Sequence, residues 1–264
     1  MTEPDATAAV PDDFVDLAVA LAAAAAPVVM RYFRGDIDID IKADLSPVTA
    51  ADWEAEETMR GLIEAAFPDH GIIGEEHGTI RAAAEFVWVL DPIDGTQSFV
   101  TGKPLFGTLI GLVKNGVPVI GVIDMPALKE RWIGVHGRQT TFNGKPVWAR
   151  ACERLGQAWL YATSPQMFPE GDFQAFENLR KHSRRAIYGA DCYAYGLLAN
   201  GTVDLVAEST MQPYDYVALV PVVAGAGGVI TDWRGKELTV RSDGRVLAAG
   251  DKHIHKAALK ALKI

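Results

Sequence analysis

Cysteine and basic residues are scarce in this chain of 264 residues. Its two cysteines, Cys152 and Cys192, do not have the spacing of a metal-binding pair. We therefore expect free thiols and a reducing, cytoplasmic compartment. Lysine and arginine number 25 against 34 acidic residues, which gives a formal net charge of -9. A nucleic-acid partner is not expected, because phosphate backbones are bound through clustered Lys and Arg.

A basic leader before an apolar run is also missing. The Ala-rich stretch from Val15 to Met30 follows acidic residues and is interrupted by Asp16. A signal peptide needs a positively charged start and an unbroken apolar run. We expect this stretch to form an amphipathic or buried first helix from Pro11 to about Arg34, without membrane association.

Apolar residues, by contrast, are abundant, at 49% of the chain, which is ample material for a core. Residues 106–135 predict a set of antiparallel strands, with Asn115-Gly116 as a hairpin turn. Separate helical patterns, including residues 216–225, favour a layered α+β fold over a regular βαβ repeat. We expect one unit over residues 1–264, with subdomains at 11–149 and 150–264.

The most informative segment is Trp88-Val89-Leu90-Asp91-Pro92-Ile93-Asp94-Gly95-Thr96. An apolar strand ends in two carboxylates, which converge only if the backbone turns sharply. Converging carboxylates repel each other unless a cation lies between them, and their hard oxygen atoms select Mg²⁺, Mn²⁺ or Ca²⁺. A helix after Thr96 would offer N–H groups to an anion. The combination indicates metal-assisted phosphoester hydrolysis, whereas an isolated D-P-x-D would be an ordinary turn.

Two further acidic segments accompany this one. Gly74-Glu75-Glu76 follows another short apolar strand, and Tyr214-Asp215 begins an apolar helix, where an N-cap is the alternative role for Asp215. The haloacid-dehalogenase phosphatases carry D-x-D-G-T with the first Asp as nucleophile, but here that position is Pro92. A metal-activated water is therefore the expected nucleophile.

Together these segments resemble the inositol monophosphatase superfamily of Mg²⁺-dependent phosphatases. The likeness also covers Lys42, residues 46–52 and the G-A-G-G-V-I-T-D-W run that ends at Trp233. It implies a layered αβαβα sandwich of the inositol monophosphatase/fructose-bisphosphatase type with largely antiparallel sheets, two or three Mg²⁺ ions, a phosphomonoester substrate and a homodimer. The role of Lys42 stays open.

The resemblance also implies roles for particular residues. The metal ligands would be Glu75, Asp91, the carbonyl of Ile93, Asp94 and Asp215. Glu75, Asp52 and Thr96 would act on the attacking water, and the N–H groups of Gly95 and Thr96 would bind phosphate.

Residues 189–199 resemble the histidinol-phosphate phosphatases within this superfamily, although Gln97 stands where a basic residue is expected. Asp191 and Glu208, with Asp94 and Asp215, would contact the substrate, and the first two offer anionic acceptors for its cationic groups. The alternatives are a helix N-cap for Asp191 and a solvated strand end for Glu208. Other candidate functions are an inositol-1-phosphate or 3′-phosphoadenosine-type phosphatase and a regulatory binding protein.

Overall fold

The fold is seen in a computed structural model that describes residues 10–35, 39–41 and 47–263. Lys42 lies outside the described residues, and so does part of the predicted strand at 37–41. The described helices are α1 (Asp12–Tyr32), α2 (Ala50–Ala66), α3 (Thr96–Val100), α4 (Glu170–His182), α5 (Tyr193–Ala199), α6 (Pro213–Tyr216), α7 (Leu219–Gly225) and α8 (Lys252–Ala261). The strands are β1 (Ile39–Ile41), β2 (Pro47–Thr49), β3 (Gly71–Gly74), β4 (Thr79–Ile80), β5 (Phe86–Asp94), β6 (Gly107–Lys114), β7 (Val117–Met125), β8 (Glu130–Val135), β9 (Thr141–Phe142), β10 (Lys145–Pro146), β11 (Trp159–Ala162), β12 (Arg185–Tyr188), β13 (Leu205–Glu208), β14 (Val229–Thr231) and β15 (Val246–Ala249).

Two large sheets use separate parts of the chain. The first has eight strands in the order β10-β9-β8-β7-β6-β5-β3-β4, and β3–β5 is its one parallel pair. The second has the order β12-β11-β13-β15-β14 and is mixed, with β11 parallel to both neighbours. Helical crossovers through α4 and α5 account for these parallel pairs, because a hairpin cannot connect them.

The sheets and helices form five layers. Helices α1 and α2 cover one face of the eight-stranded sheet, and α5–α7 fill the space between the two sheets. Helices α4 and α8 cover the outer face of the smaller sheet. In β5, Val87 and Val89 face the middle layer whereas Trp88 and Leu90 face α1 and α2, as a period of two requires. The predicted layered αβαβα sandwich is confirmed.

Helix α1 is long and apolar enough to cross a membrane by length and composition. Its fully buried residues Ala18, Leu21, Ala22, Ala25 and Val29 pack into the core that it shares with α2. The structure thus gives the stretch the core-facing role expected of a buried first helix.

Glycines bring the middle layer close to the eight-stranded sheet. Gly111, Gly121 and Gly134 lie opposite one another on β6, β7 and β8. A Cβ at Gly121 would overlap the carbonyl of Ala218, and one at Gly134 would overlap the backbone of Pro221. The α6–α7 segment therefore lies directly on the sheet, which fixes where Asp215 emerges.

One predicted helix is divided. The expectation of a continuous helix over 216–225 was wrong, because α6 ends at Tyr216 and α7 begins at Leu219. Pro221 has no N–H to donate to the carbonyl of Val217, four residues earlier, so the helical ladder is interrupted there.

Candidate active site

A β-bulge brings Asp91 and Asp94 to the same side of β5. Residues three apart on a regular strand point to opposite faces. Here Asp91 pairs with Leu109 and Asp94 pairs with Gly107, so three steps on β5 match two steps on β6. The extra residue reverses the alternation, and both carboxylates face the middle layer. This bulge is the sharp change of backbone direction that convergence required.

The chain then turns directly into α3. Gly95 has φ 82°, a left-handed conformation that favours glycine, and it precedes the first residue of α3, Thr96. The hydroxyl Oγ1 of Thr96 donates to the carbonyl of Ile93 at 3.0 Å. The N–H groups predicted for phosphate thus lie at the start of a short helix beside Asp94, and their role in binding stays a prediction.

Asp215 approaches the same point from the middle layer. It is the third residue of α6, and its Oδ2 accepts the N–H of Gln212 at 2.7 Å in a capping box. It therefore helps to cap the helix from inside the first turn rather than from the N-cap position. Ligand oxygens of Asp91, Asp94 and Asp215 all lie within 4.8 Å of one another.

This acidic cluster fits a divalent cation. Asp91 is 2% exposed, and its Oδ1 is a buried atom with no hydrogen-bond partner in the described part of the chain. A buried carboxylate oxygen without a donor is costly, and a hard cation would satisfy it. Three carboxylates, two from the end of β5 and one from α6 more than a hundred residues later, form an oxygen donor set of the kind that Mg²⁺ prefers.

Burial and mutual repulsion raise the pKa values of the cluster. Desolvation raises the pKa of Asp91 well above its usual range, and the charges of Glu75, Asp94, Asp215 and Asp52 raise it further. The pKa of Asp215 is raised to about 7, chiefly by burial and then by Glu75 and Glu208. Each carboxyl thus resists ionisation until a positive charge arrives.

Asp52 and Glu75 lie beside this cluster. Asp52 is 2% exposed in the first turn of α2, and Glu75 directly follows β3. The charges of both contribute to the raised pKa of Asp91, and the N–H of Glu75 donates to the carbonyl of Leu90, next to Asp91, at 3.3 Å. The structure thus brings these two sequence-predicted residues to the three aspartates, while their catalytic roles stay predictions.

A pocket of about 150 Å³ opens next to the cluster. Its walls are formed by Asp94, Thr163, Met167, Asp191, Cys192, Tyr195, Glu208, Met211, Asp215 and Leu219. The four residues predicted to contact the substrate, Asp94, Asp191, Glu208 and Asp215, therefore line the same pocket. No sequence pattern predicted the apolar residues that line it as well.

Glu208 is not a solvated strand end. It is 2% exposed, and its two oxygens accept hydrogen bonds from the Thr163 N–H and the Tyr195 hydroxyl, each at 2.8 Å. Burial raises the pKa of Glu208, while these two hydrogen bonds lower it. The solvated alternative is wrong because the middle layer covers this end of β13.

Asp191 is not the N-cap of α5 either. Cys192 holds that position, and Asp191 has a left-handed φ of 48°. Its Oδ2 accepts from Ser98 Oγ at 3.3 Å. Burial raises the pKa of Asp191, and the nearby Lys103 ammonium lowers it. The carboxylate is thus held toward the pocket by contacts from the α3 region.

Sequence reasoning missed three supporting groups. The backbone N–H of Cys192 donates to Asp94 Oδ2 at 2.6 Å, and Tyr195 orients Glu208. Glu56, fully buried on α2, accepts the N–H groups of Glu76 and His77 next to Glu75. For Glu56 a signal was available, since it lies four residues after Asp52 and so on the same helix face.

Comparisons with known proteins identify the family of this chain. Residues 11–264 match the inositol monophosphatase family. The bifunctional phosphatase IMPL2 of the Arabidopsis thaliana chloroplast is 51% identical over 261 residues, 96% of this chain and 75% of its own. A histidinol-phosphatase from Chlorobaculum parvum is 34% identical over 89% of this chain and 91% of its own. The solved structure of an inositol monophosphatase from Zymomonas mobilis has 45% identity and a TM-score of 0.89, with 96% of this chain and 98% of that one covered.

Proposed function

This chain belongs to the inositol monophosphatase family, whose members are phosphatases that generally depend on Mg²⁺, and we propose that its substrate is L-histidinol phosphate. The reaction is hydrolysis of the monoester to L-histidinol and inorganic phosphate. The observation that carries this proposal is the chemistry of the pocket beside the acidic cluster, which combines anionic acceptors with apolar walls.

The pocket is complementary to a cationic, partly apolar alcohol. Histidinol carries an ammonium group and an imidazole ring, and Asp191 and Glu208 offer carboxylate oxygens to both. Met167, Met211 and Leu219 supply apolar surface for a ring. No Lys or Arg is among the described residues that line the pocket. The Lys103 ammonium, which lowers the pKa of Asp191, donates to the carbonyl of Gly189 outside this lining.

The remaining residues would serve the phosphate end. We assign Glu75, Asp91, Asp94, Asp215 and the carbonyl of Ile93 to holding two or three Mg²⁺ ions. When bound, these ions supply Lewis acidity toward phosphate and water.

Three residues near the cluster would act on the reacting atoms directly. Asp52 and Thr96 would orient the attacking water and accept its proton, and the N–H groups of Gly95 and Thr96 would hold a phosphate oxygen. The hydroxyl of Thr96 now donates to Ile93, which leaves its oxygen lone pairs available to a water.

Inositol-1-phosphate is the second candidate substrate. A relative with 45% identity is described as an inositol monophosphatase, and the family as a whole carries that name. An inositol ring presents neutral hydroxyl groups, which would use Asp191 and Glu208 as hydrogen-bond acceptors without neutralising their charge. The two candidates therefore differ in the charge of the alcohol.

Phosphate release from three substrates, with and without Mg²⁺, tests the proposal. Histidinol phosphate should give the highest kcat/KM, ahead of inositol-1-phosphate and a 3′,5′-bisphosphonucleoside, and chelation should abolish all three activities. Comparable rates on the three substrates would reject the assignment to histidinol phosphate. Binding of a macromolecular partner without turnover would favour a regulatory role.

The predicted homodimer can be tested by measuring the mass of the protein in solution. The cytoplasmic location stays a prediction.

A further inference from the structure

Glu56 forms a buried clamp beneath the loop that carries Glu75. Asp52, Glu56 and Arg60 succeed one another at intervals of four on α2, so they lie along one face of the helix. Asp52 approaches the acidic cluster, while Glu56 and Arg60 reach the loop at residues 74–78. One helix face thus connects the candidate metal site with the loop beside it.

Both carboxylate oxygens of Glu56 are used by this loop or by Arg60. Oε2 accepts the N–H of Glu76 at 2.7 Å, and Oε1 accepts the N–H of His77 at 3.1 Å and Arg60 Nε at 2.7 Å. Arg60 Nη2 in turn donates to the carbonyl of Gly78. A buried carboxylate is tolerated only when it is paired and hydrogen-bonded in this way.

Gly74 leaves the space that the clamp occupies. A Cβ at this position would overlap the carboxyl group of Glu56, to which the three nearest atoms all belong. The N–H of Glu75 donates to the carbonyl of Leu90 at 3.3 Å, next to Asp91. Glu75 is therefore fixed between the end of β5 on one side and the Glu56 carboxylate on the other.

We propose that Glu56 is a positioning residue, which holds Glu75 at the distance from Asp91 that a shared divalent cation requires, and that Gly74 is required because Glu56 lies against it. The proposal rests on the metal-dependent activity proposed above but not on the identity of the substrate. Supporting hydrogen bonds of this kind, when removed, typically lower metal affinity or activity by 10–100-fold.

The test compares Mg²⁺ binding by calorimetry, on the metal-free full-length chain, with the Mg²⁺ dependence of turnover. In Glu56→Gln an NH₂ group faces N–H donors, and in Gly74→Ala the new Cβ displaces the carboxylate. We expect each variant to weaken Mg²⁺ binding by at least about tenfold, with turnover partly restored by excess Mg²⁺. Glu54→Gln, also on α2, removes an exposed ion pair with Arg31 of α1. This variant is the matched control and should bind Mg²⁺ as wild type does.

A double variant separates positioning from general damage. Glu56→Ala removes the atoms that a Cβ at 74 would meet, so Gly74→Ala should add no further loss of Mg²⁺ affinity in that background. The clamp is rejected if Glu56→Gln lowers Tm but binds Mg²⁺ within twofold of Glu54→Gln. It is also rejected if the losses of Mg²⁺ affinity caused by Glu56→Ala and by Gly74→Ala simply add in the double variant. A wild-type chain that binds no Mg²⁺ would overturn the proposed function as well.

Discussion

Removing divalent cations should make the stability of this protein fall as the pH rises from 5 to 8. The reason lies in Asp215, whose pKa is raised from 3.8 to about 7 in the folded chain. The folded state therefore binds a proton that the unfolded state releases. The stabilisation is complete below the unfolded pKa, near 4, and disappears as the pH rises through about 7.

The size of the effect follows from these two pKa values. A single carboxyl that titrates at 3.8 when unfolded and at about 7 when folded loses about 2–3 kcal/mol between pH 5 and pH 8. For a chain of this length, that corresponds to a decrease of roughly 4–10 °C in Tm. Asp91 and Asp94 have pKa values raised in the same direction, so their contributions have the same sign.

The assay is thermal unfolding in EDTA at pH 5 and pH 8, for wild type and Asp215→Asn. Burial lowers the pKa of His70 and His255, which opposes the trend, but both histidines are present in each protein and cancel in the comparison. The Tm of wild type minus that of the variant should decrease from pH 5 to pH 8. An unchanged difference would refute the reasoning. Added Mg²⁺ should stabilise wild type most at pH 8, because the ion binds ionised carboxylates.

Three substitutions test the rest of the site. Asp94→Asn should keep the fold but weaken Mg²⁺ binding and abolish turnover, and near-normal hydrolysis would remove Asp94 from the ligand set. Asp191→Ala should raise KM for histidinol phosphate more than KM for a generic phosphomonoester, and an equal rise on both would make its role structural. Tyr195→Phe removes the donor to Glu208 Oε2, so it should cost about 1–3 kcal/mol in urea unfolding and raise KM for histidinol phosphate. Loss of stability with unchanged KM would limit Tyr195 to the core.

Local sequence patterns predicted most of the architecture. The apolar strand that ends in Asp91 and Asp94, the Asn115-Gly116 turn and the buried first helix α1 each depend on neighbouring residues, and all three occur as expected. The division between α6 and α7 was missed, although Pro221 is visible in the sequence, because the pattern of apolar residues continues through it.

The candidate site was harder to predict, because its geometry depends on packing between layers. The residue types at Asp91 and Asp94 indicate oxygen ligands, but the bulge that aligns them is set by pairing with β6. The row of glycines that admits the turn after α6 and the start of α7 depends on three strands in register. The burial of Glu208 and the N–H of Cys192 on Asp94 likewise arise only when the middle layer is in place.

The acidic groups of the site come from elements that belong to different layers. Asp91 and Asp94 lie on the large sheet, Asp215 on the middle layer and Asp52 on the outer helix α2. Each element is anchored by its own apolar core, so the carboxylates cannot move apart to relieve their repulsion. Packing energy therefore holds together charges that would separate in a looser structure. A divalent cation at this cluster would remove the repulsion and connect the layers. Metal affinity, acid–base behaviour and stability should therefore change together when any one of these carboxylates is neutralised.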